Sequence, residues 1–170
     1  MDIKKHILDV PDFPKKGIVF KDITPLLADP QAFSATIEAL AQPYLGKGIK
    51  VVAGIESRGF LLAAPLAQRL GAGFVPIRKK GKLPRAVHRA EYALEYGTDV
   101  VEAHMDAVPR GAKVALIDDV LATGGTASAA LKLLDAMGAE VLGVSFLIEL
   151  GFLQGRSKLG ARSVHSVLTY

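Results

Sequence analysis

The chain has 170 residues, half of them hydrophobic, so one substantial core and a single domain over 1–170 are the natural expectation. The 21 basic and 17 acidic residues leave a formal net charge of only +4, and the lack of cysteine excludes disulfides, thiolate catalysis and cysteine-bound metal. No apolar run has transmembrane length and no signal-peptide core follows residues 1–6, which predicts a cytoplasmic protein that does not contact membranes.

The first half of the chain alternates between helix and strand signals. Asp29 and Pro30 begin a predicted helix that Gly46 and Gly48 end, and its apolar face contains Phe33, Ile37, Leu40, Ala41 and Tyr44. Predicted strands follow at 51–55 and 73–77, separated by a helix over 60–70 that Gly71 closes. This order predicts βαβ units, and therefore an α/β fold with a central, mostly parallel sheet flanked by helices.

Residues 81–97 carry glycine, proline, several charges and two tyrosines without the periodicity of a core element. We interpret them as a long irregular excursion, which in a compact domain is usually functional. The basic residues between Arg78 and Arg89 fit either a solvated loop or contact with a polyanion.

The run 114–127 contains the densest group of candidate binding residues in the chain. A buried strand over 114–117 leads to Asp118 and Asp119, whose acceptor-only carboxylates suit neighbouring sugar hydroxyls. Gly124 and Gly125 follow, flanked by Thr123 and Thr126, and open a predicted helix whose amino end favours an anion. The run therefore predicts a ribose 5-phosphate site. A purely structural strand, turn and helix with two solvated aspartates would explain only its apolar residues.

A second loop, over 54–59, also follows a strand and precedes a helix. It ends in Arg58, whose planar guanidinium binds diphosphate oxygens well. The alternative interpretation is a capped helix with a surface ion pair.

The run 114–127 resembles the phosphoribosyl diphosphate (PRPP) signature of type I phosphoribosyltransferases. Further stretches resemble the adenine phosphoribosyltransferases in the same order along the chain: 11–14, 17–27, 54–60, 78–84, 94–97, 147–150 and the pair Gly155 and Arg156. The resemblance implies the type I phosphoribosyltransferase fold, with a small N-terminal hood on the purine side over 1–30 and a mobile lid over 79–100. It also implies condensation of adenine with PRPP to give AMP and pyrophosphate, a purine-salvage step. The partners that it implies are Mg²⁺ held mainly by PRPP, with no certain protein ligand, and a second copy in a homodimer, but no nucleic acid.

The resemblance assigns roles to individual residues. The catalytic residues that it implies are Glu95, aligned with the family's proposed acid/base, and Arg58. Ribose and 5′-phosphate would be bound by Asp118, Asp119, Ala122, Thr123, Gly124, Gly125 and Thr126. Pyrophosphate would be bound by Glu56, Ser57, Arg58, Arg78, Lys79 and Lys82. Adenine would be bound by Val19, Phe20 and Lys21, and Tyr96 would be a lid aromatic. A cis peptide bond is expected around Glu56 and Ser57.

The chain departs from the family pattern at Lys16, Arg85 and Glu91, all in the hood or lid. Two alternatives remain open at this point. One is a transferase acting on a 6-oxopurine or orotate. The other is a PRPP-sensing regulator that binds nucleic acid and has lost catalysis.

Overall fold

The computed structural model describes residues 2–94 and 96–170 and divides the chain into two compact units, Met1–Ala39 and Leu40–Tyr170. In the first unit, β1 (Leu8–Pro11) and β2 (Val19–Asp22) form an antiparallel pair in which Val10 faces Phe20. The short helix α1 (Thr24–Ala28) follows. The helix α2 (Pro30–Ala41) begins as predicted, because the Asp29 carboxylate accepts hydrogen bonds from the Gln31 and Ala32 amides at 3.0 and 2.8 Å.

The predicted C-terminal end of α2 is wrong. The helix stops at Ala41, and Tyr44 lies in a separate 3₁₀ turn, Gln42–Tyr44. Pro43 explains the break, since proline has no amide hydrogen to continue the helical ladder and disfavours helical backbone in the residue before it.

The second unit is built on a seven-stranded sheet of order β5-β6-β4-β3-β7-β8-β9. The strands are β3 (Val51–Ile55), β4 (Gly73–Lys79), β5 (Val87–Ala93), β6 (Thr98–His104), β7 (Lys113–Leu121), β8 (Glu140–Glu149) and β9 (Val164–Thr169). The pairs β3–β4, β3–β7, β7–β8 and β8–β9 are parallel, whereas β6 is antiparallel to both β4 and β5. The predicted mostly parallel sheet is confirmed.

Two helices bury the central strands of this sheet. β3 is buried along its whole length, with α3 (Arg58–Leu70) against one face and α4 (Gly125–Ala136) against the core cluster on the other. On the α3 face a side chain at Gly54 would collide with Ala63, because its Cβ would lie 2.6 Å from the Ala63 Cβ. The predicted bounds of β3 and the end of α3 at Gly71, which has left-handed backbone, are confirmed.

Two further predictions are corrected by the sheet. The irregular excursion contains a strand, β5, whose residues pair with β6 from Val87↔His104 to Ala93↔Thr98 and are half-buried on alternate positions. β7 does not end at Ile117 but runs to Leu121, so Asp118 and Asp119 lie within it. It continues because β8 pairs with it as far as Leu121↔Glu149, whereas its pairing with β3 stops at Gly54↔Ile117.

Within residues 2–94 and 96–170, no helix is both long and apolar enough to cross a membrane.

Candidate active site

The run after β7 forms a cup at the start of α4. Ala122, Thr123, Gly124, Gly125 and Thr126 line one small cavity of about 70 Å³, which Asp118 also borders. Gly124 has φ of 84°, a backbone conformation that residues with side chains rarely adopt, and it immediately precedes α4. The first amides of a helix have no partners within it, so this cup is suited to an anion.

The two aspartates next to the cup have different environments. Asp119 is 6% exposed, and its Oδ2 lies 2.7 Å from the Nε of Arg58. Among the described residues, that oxygen is buried and has no hydrogen bond of good angle, so its contact with Arg58 is an ion pair. Asp118 accepts a 2.8 Å hydrogen bond from the Asp119 amide. Burial, and then the neighbouring Asp119 carboxylate, raise the pKa of Asp118 well above its ordinary value, and the Arg58 charge offsets only part of this.

Arg58 is the first residue of α3, and its helix packs very closely on the acidic pair. The predicted cis peptide bond between Glu56 and Ser57 is present. At Gly59 a Cβ would lie 2.8 Å from Asp118 Oδ1 and 3.2 Å from the Ile117 carbonyl oxygen, so only glycine fits there. The sequence analysis assigned no role to Gly59, because its importance depends on a strand almost 60 residues away.

Glu56 forms hydrogen bonds with three basic residues at and just after the end of β4. Its carboxylate accepts hydrogen bonds from the Lys82 ammonium, from the Lys79 amide at 2.9 Å and from Arg78 Nε at 3.4 Å. Partial burial raises the pKa of Glu56, but the Lys82 and Lys79 hydrogen bonds and the charges of Lys82 and Arg78 outweigh it and lower the pKa below its ordinary value. Glu56 is therefore ionised and positions these cations.

The Lys79 side chain takes another direction. Its ammonium donates to the Tyr92 hydroxyl and the Asp99 carboxylate, and it lies 5.1 Å from the centre of the Tyr92 ring. Burial lowers the pKa of Lys79, but the hydrogen bonds with Asp99 and Tyr92 outweigh it and raise the pKa. Tyr92 and Asp99 face each other across β5 and β6, so Lys79 joins β4 to the end of this hairpin next to its turn.

The tip of the hairpin lies within the predicted lid, 79–100. Glu95, the predicted acid/base, lies outside the described residues. The Leu94 amide donates to the Gly97 carbonyl at 2.9 Å, and Tyr96 is 86% exposed. The end of β5 next to the turn borders the cup, since a Cβ at Gly125 would lie 3.7 Å from the Tyr92 ring and 3.8 Å from the Ala93 carbonyl oxygen.

The residues predicted to bind adenine lie on β2 of the first unit. Phe20 meets Phe13 edge to face, with ring centres 5.1 Å apart, and both line a cavity of about 350 Å³ with Val10 and Asp22. Val19 is exposed, and the Lys21 ammonium pairs with Asp9 at 2.6 Å.

A larger cavity, of about 440 Å³, lies at the other end of β3. It is lined by residues 44–46, 48–49 and 69–70, and none of the predicted site residues borders it.

The donor set next to the cup fits a magnesium ion shared with a substrate. Across the described ranges, no three His, Cys, Asp or Glu side chains are grouped as a metal site. Mg²⁺ is commonly held by one or two carboxylates together with substrate phosphates and water. Asp118 and Asp119 could supply such oxygens beside a bound diphosphate.

Comparison with known proteins decides the family. The family model described as "Phosphoribosyl transferase domain" matches residues 24–165. The adenine phosphoribosyltransferase of Acidothermus cellulolyticus is 57% identical over 166 residues, covering 98% of this chain and 94% of that protein. The chain belongs to the adenine phosphoribosyltransferase family.

Solved adenine phosphoribosyltransferases have the same fold. The enzyme of Rhodothermus marinus is 53% identical, with a TM-score of 0.95, covering 99% of this chain and 96% of that one. The enzyme of Saccharomyces cerevisiae, complexed with D-2,5-dideoxy-2,5-imino-altritol 1,6-bisphosphate and adenine, is 42% identical with a TM-score of 0.92, covering 96% of this chain and 94% of that one. The predicted type I phosphoribosyltransferase fold is confirmed.

Proposed function

We propose that this chain transfers the 5-phosphoribosyl group of PRPP to adenine. In this reaction a bond forms between N9 of adenine and C1′ of the ribose, while the bond from C1′ to the diphosphate breaks. The N9 proton leaves, and the products are AMP and pyrophosphate. The observation that carries the proposal is the contiguity of the anion cup, the acidic pair and Arg58 within the second unit.

The sugar end of PRPP would be held by β7 and the cup. We propose that Asp118 and Asp119 accept hydrogen bonds from the two ribose hydroxyls and stabilise positive charge developing on the ring. Ala122, Thr123, Gly124, Gly125 and Thr126 would bind the 5′-phosphate through amides and hydroxyls at the start of α4.

The diphosphate end would be held by the cations on the other loops. Arg58 is the nearest cation to the acidic pair, and Glu56 holds Arg78 and Lys82 together. Glu56 itself is anionic, so we propose that it positions these cations while the 56–57 backbone approaches the diphosphate. Lys79 would reach the diphosphate only by leaving Asp99. A Mg²⁺ ion bound with PRPP would neutralise charge that develops on the departing diphosphate.

We propose that Val19, Phe20 and Lys21 bind adenine, with Phe20 stacking on the ring and backbone groups reading its amino-substituted edge. Glu95 would exchange the purine proton, and Tyr96 would help to close the lid, which keeps water from an activated sugar. Much of the rate acceleration would then come from positioning and charge stabilisation.

A panel of bases tests this function. Adenine, hypoxanthine, guanine and orotate would each be incubated with PRPP, with and without Mg²⁺, and pyrophosphate release measured. We expect release to be fastest with adenine and to depend on Mg²⁺. Faster release with hypoxanthine, guanine or orotate would make this a different transferase. No release with any base, together with salt-sensitive binding of oligonucleotides, would favour the nucleic-acid-binding alternative.

The resemblance also supports a homodimer in which basic residues of one subunit reach the partner's site. The exposed side chains of Leu61 and Phe74 are candidates for burial in such an interface. Sedimentation equilibrium would give twice the chain mass. The cytoplasmic location stays a prediction, which cell fractionation would check.

A further inference from the structure

The turn at Gly155 forms the back wall of the phosphate cup. If Gly124 carried a Cβ, that atom would lie 2.4 Å from the Gly155 carbonyl oxygen. If Gly155 carried one, it would lie 2.3 Å from the Ala122 carbonyl oxygen and 2.9 Å from a Leu121 methyl. No side chain fits at either position, so the two backbones are in direct contact. A shift of this turn would therefore shift the cup.

Arg156, the next residue, is held by a buried carboxylate. Its Nε and one terminal nitrogen each donate to one oxygen of Glu149 at 2.7 Å, and its other terminal nitrogen donates to the Val164 carbonyl at 2.9 Å. The Ser166 hydroxyl donates to the same Glu149 carboxylate at 2.7 Å. Glu149 is only 7% exposed. Bidentate guanidinium–carboxylate pairs are strong and fix direction as well as distance. We name Glu149, Arg156 and Ser166 the tail clamp.

The tail clamp is anchored to the strand that leads into the cup. Glu149 is the last residue of β8 and pairs with Leu121, the last residue of β7. The Leu150 amide donates to the Leu121 carbonyl at 2.9 Å, immediately before the cup begins at Ala122. The same clamp thus fixes the entry to the cup, through β8, and its back wall, through Gly155.

We infer that the tail clamp positions the phosphate cup, so that Glu149 and Arg156 set the affinity for the substrate's 5′-phosphate although neither lines the cup. The inference rests on the proposed function, because it requires the cup to bind that phosphate. Glu149 and Arg156 are both positioning residues. Losing the clamp would misalign the cup amides and weaken the binding of a phosphorylated ligand. It would leave binding of the corresponding unphosphorylated ligand nearly unchanged.

The test compares AMP with adenosine, which differ only in the 5′-phosphate. Isothermal titration would give Kd for both ligands with the unaltered chain, Arg156→Met and Arg156→Lys. The matched control is Arg162→Met, which removes another arginine–carboxylate contact, in which one terminal nitrogen of Arg162 donates to both oxygens of Asp135 on α4 at 2.6 Å. For Arg156→Met we expect the AMP preference over adenosine to fall by about tenfold, the equivalent of one charge-assisted hydrogen bond. For Arg162→Met we expect less than about a twofold change. Arg156→Lys should recover part of the preference, because lysine keeps the positive charge. The recovery should be incomplete, because an ammonium cannot form the bidentate pair.

Enzyme kinetics give a second readout. Arg156→Met should raise KM for PRPP by a similar factor and leave KM for adenine unchanged. If Arg156→Met lowers Tm while the AMP preference stays the same, the clamp has only a structural role and the inference is overturned. If Arg156→Met does not fold, Ser166→Ala, which removes one hydrogen bond to Glu149, must lower the preference measurably. If the unaltered chain binds AMP no better than adenosine, the proposed function fails first, and that outcome is distinct from the others.

Discussion

Asp118 and Asp119 are adjacent in sequence, yet their carboxyl groups have different surroundings. Asp119 is paired with Arg58, whereas Asp118 is buried beside a like charge and has its pKa raised. Substitution of each residue by its amide keeps the shape, removes the ionisable group and replaces one acceptor oxygen by a donor nitrogen, so the two positions can be tested separately.

Asp119→Asn should lower kcat/KM for PRPP by about 10- to 100-fold, because a charge-assisted hydrogen bond to the ribose and the Arg58 ion pair are both weakened. Steady-state kinetics with PRPP varied at saturating adenine would measure this. Asp106→Asn is the control, since Asp106 forms an exposed pair with Arg85. An unchanged kcat/KM for PRPP would contradict the role of Asp119.

Asp118→Asn should raise the free energy of unfolding at neutral pH. A carboxyl whose pKa is raised in the folded state contributes stability that is full below its unfolded pKa and is lost as pH rises through its folded pKa. The amide cannot ionise, so the variant avoids that loss. Urea unfolding would be measured from acidic to neutral pH. At neutral pH the free energy of unfolding should be higher for Asp118→Asn than for the unaltered chain, and this difference should disappear as the pH falls towards the ordinary carboxyl pKa. A constant difference across this range would contradict the raised pKa.

At the scale of elements, the site depends on how closely α3 approaches β7 and on the hairpin beside α4. Gly59 lets the first turn of α3 lie against Asp118, and Lys79 joins the end of β4 to Tyr92 and Asp99 next to the hairpin turn. These contacts bring Arg58, the acidic pair and the turn end of the hairpin to the same end of the sheet. Each element is a continuous segment of the chain, but how closely two elements approach each other depends on single residues such as Gly59 and Lys79.

Gly59→Ala should destabilise the fold by about 1–3 kcal/mol, because the added methyl would overlap Asp118. The direction of this change in stability identifies the steric overlap, since a glycine-to-alanine substitution inside a helix normally stabilises by about 0.5–1 kcal/mol. Denaturant unfolding would measure the change. The control Ala64→Gly, at an exposed position of α3, should cost about 1 kcal/mol through helix propensity alone. A more stable Gly59→Ala variant would show that α3 has room to shift.

At the scale of the whole molecule, the second unit is held together by contacts between distant parts of the chain. Tyr44, just after α2, forms a buried 2.7 Å hydrogen bond with Ser145 in the middle of β8. Burial raises the pKa of Tyr44 to about 12, although the Ser145 hydrogen bond lowers it slightly. This contact connects residues 101 positions apart, so its stability reports on the global fold.

Stability should therefore fall at alkaline pH in a way that depends on Tyr44. The unfolded tyrosine ionises near its ordinary pKa of about 10, whereas the folded pKa is about 12. The stabilisation is full below the lower value and is lost as pH rises through the higher one, about 3 kcal/mol in all. Tyr44→Phe should lack this loss, and the exposed Tyr96→Phe should follow the unaltered chain. Parallel alkaline unfolding curves for all three would contradict the prediction.

The sequence by itself determined the elements and motifs whose signals are local. Uninterrupted apolar residues identified β3, Gly71 marked the end of α3, and the glycines at 124 and 125 identified the turn into α4. These signals act within a few residues, through backbone freedom and side-chain periodicity, so they can be read along the chain. The motifs together also identified the family.

Only the tertiary structure decided the features that depend on residues far apart. The polar β5 is a strand because β6 supplies its hydrogen bonds, and β7 extends through the aspartates because β8 is long enough to pair with it. Lys79 is directed to Asp99, and Gly155 supports the phosphate cup, through contacts with no counterpart in local sequence. The free energy of such contacts depends on where the partner strand or turn lies in space, and neither residue alone specifies that position.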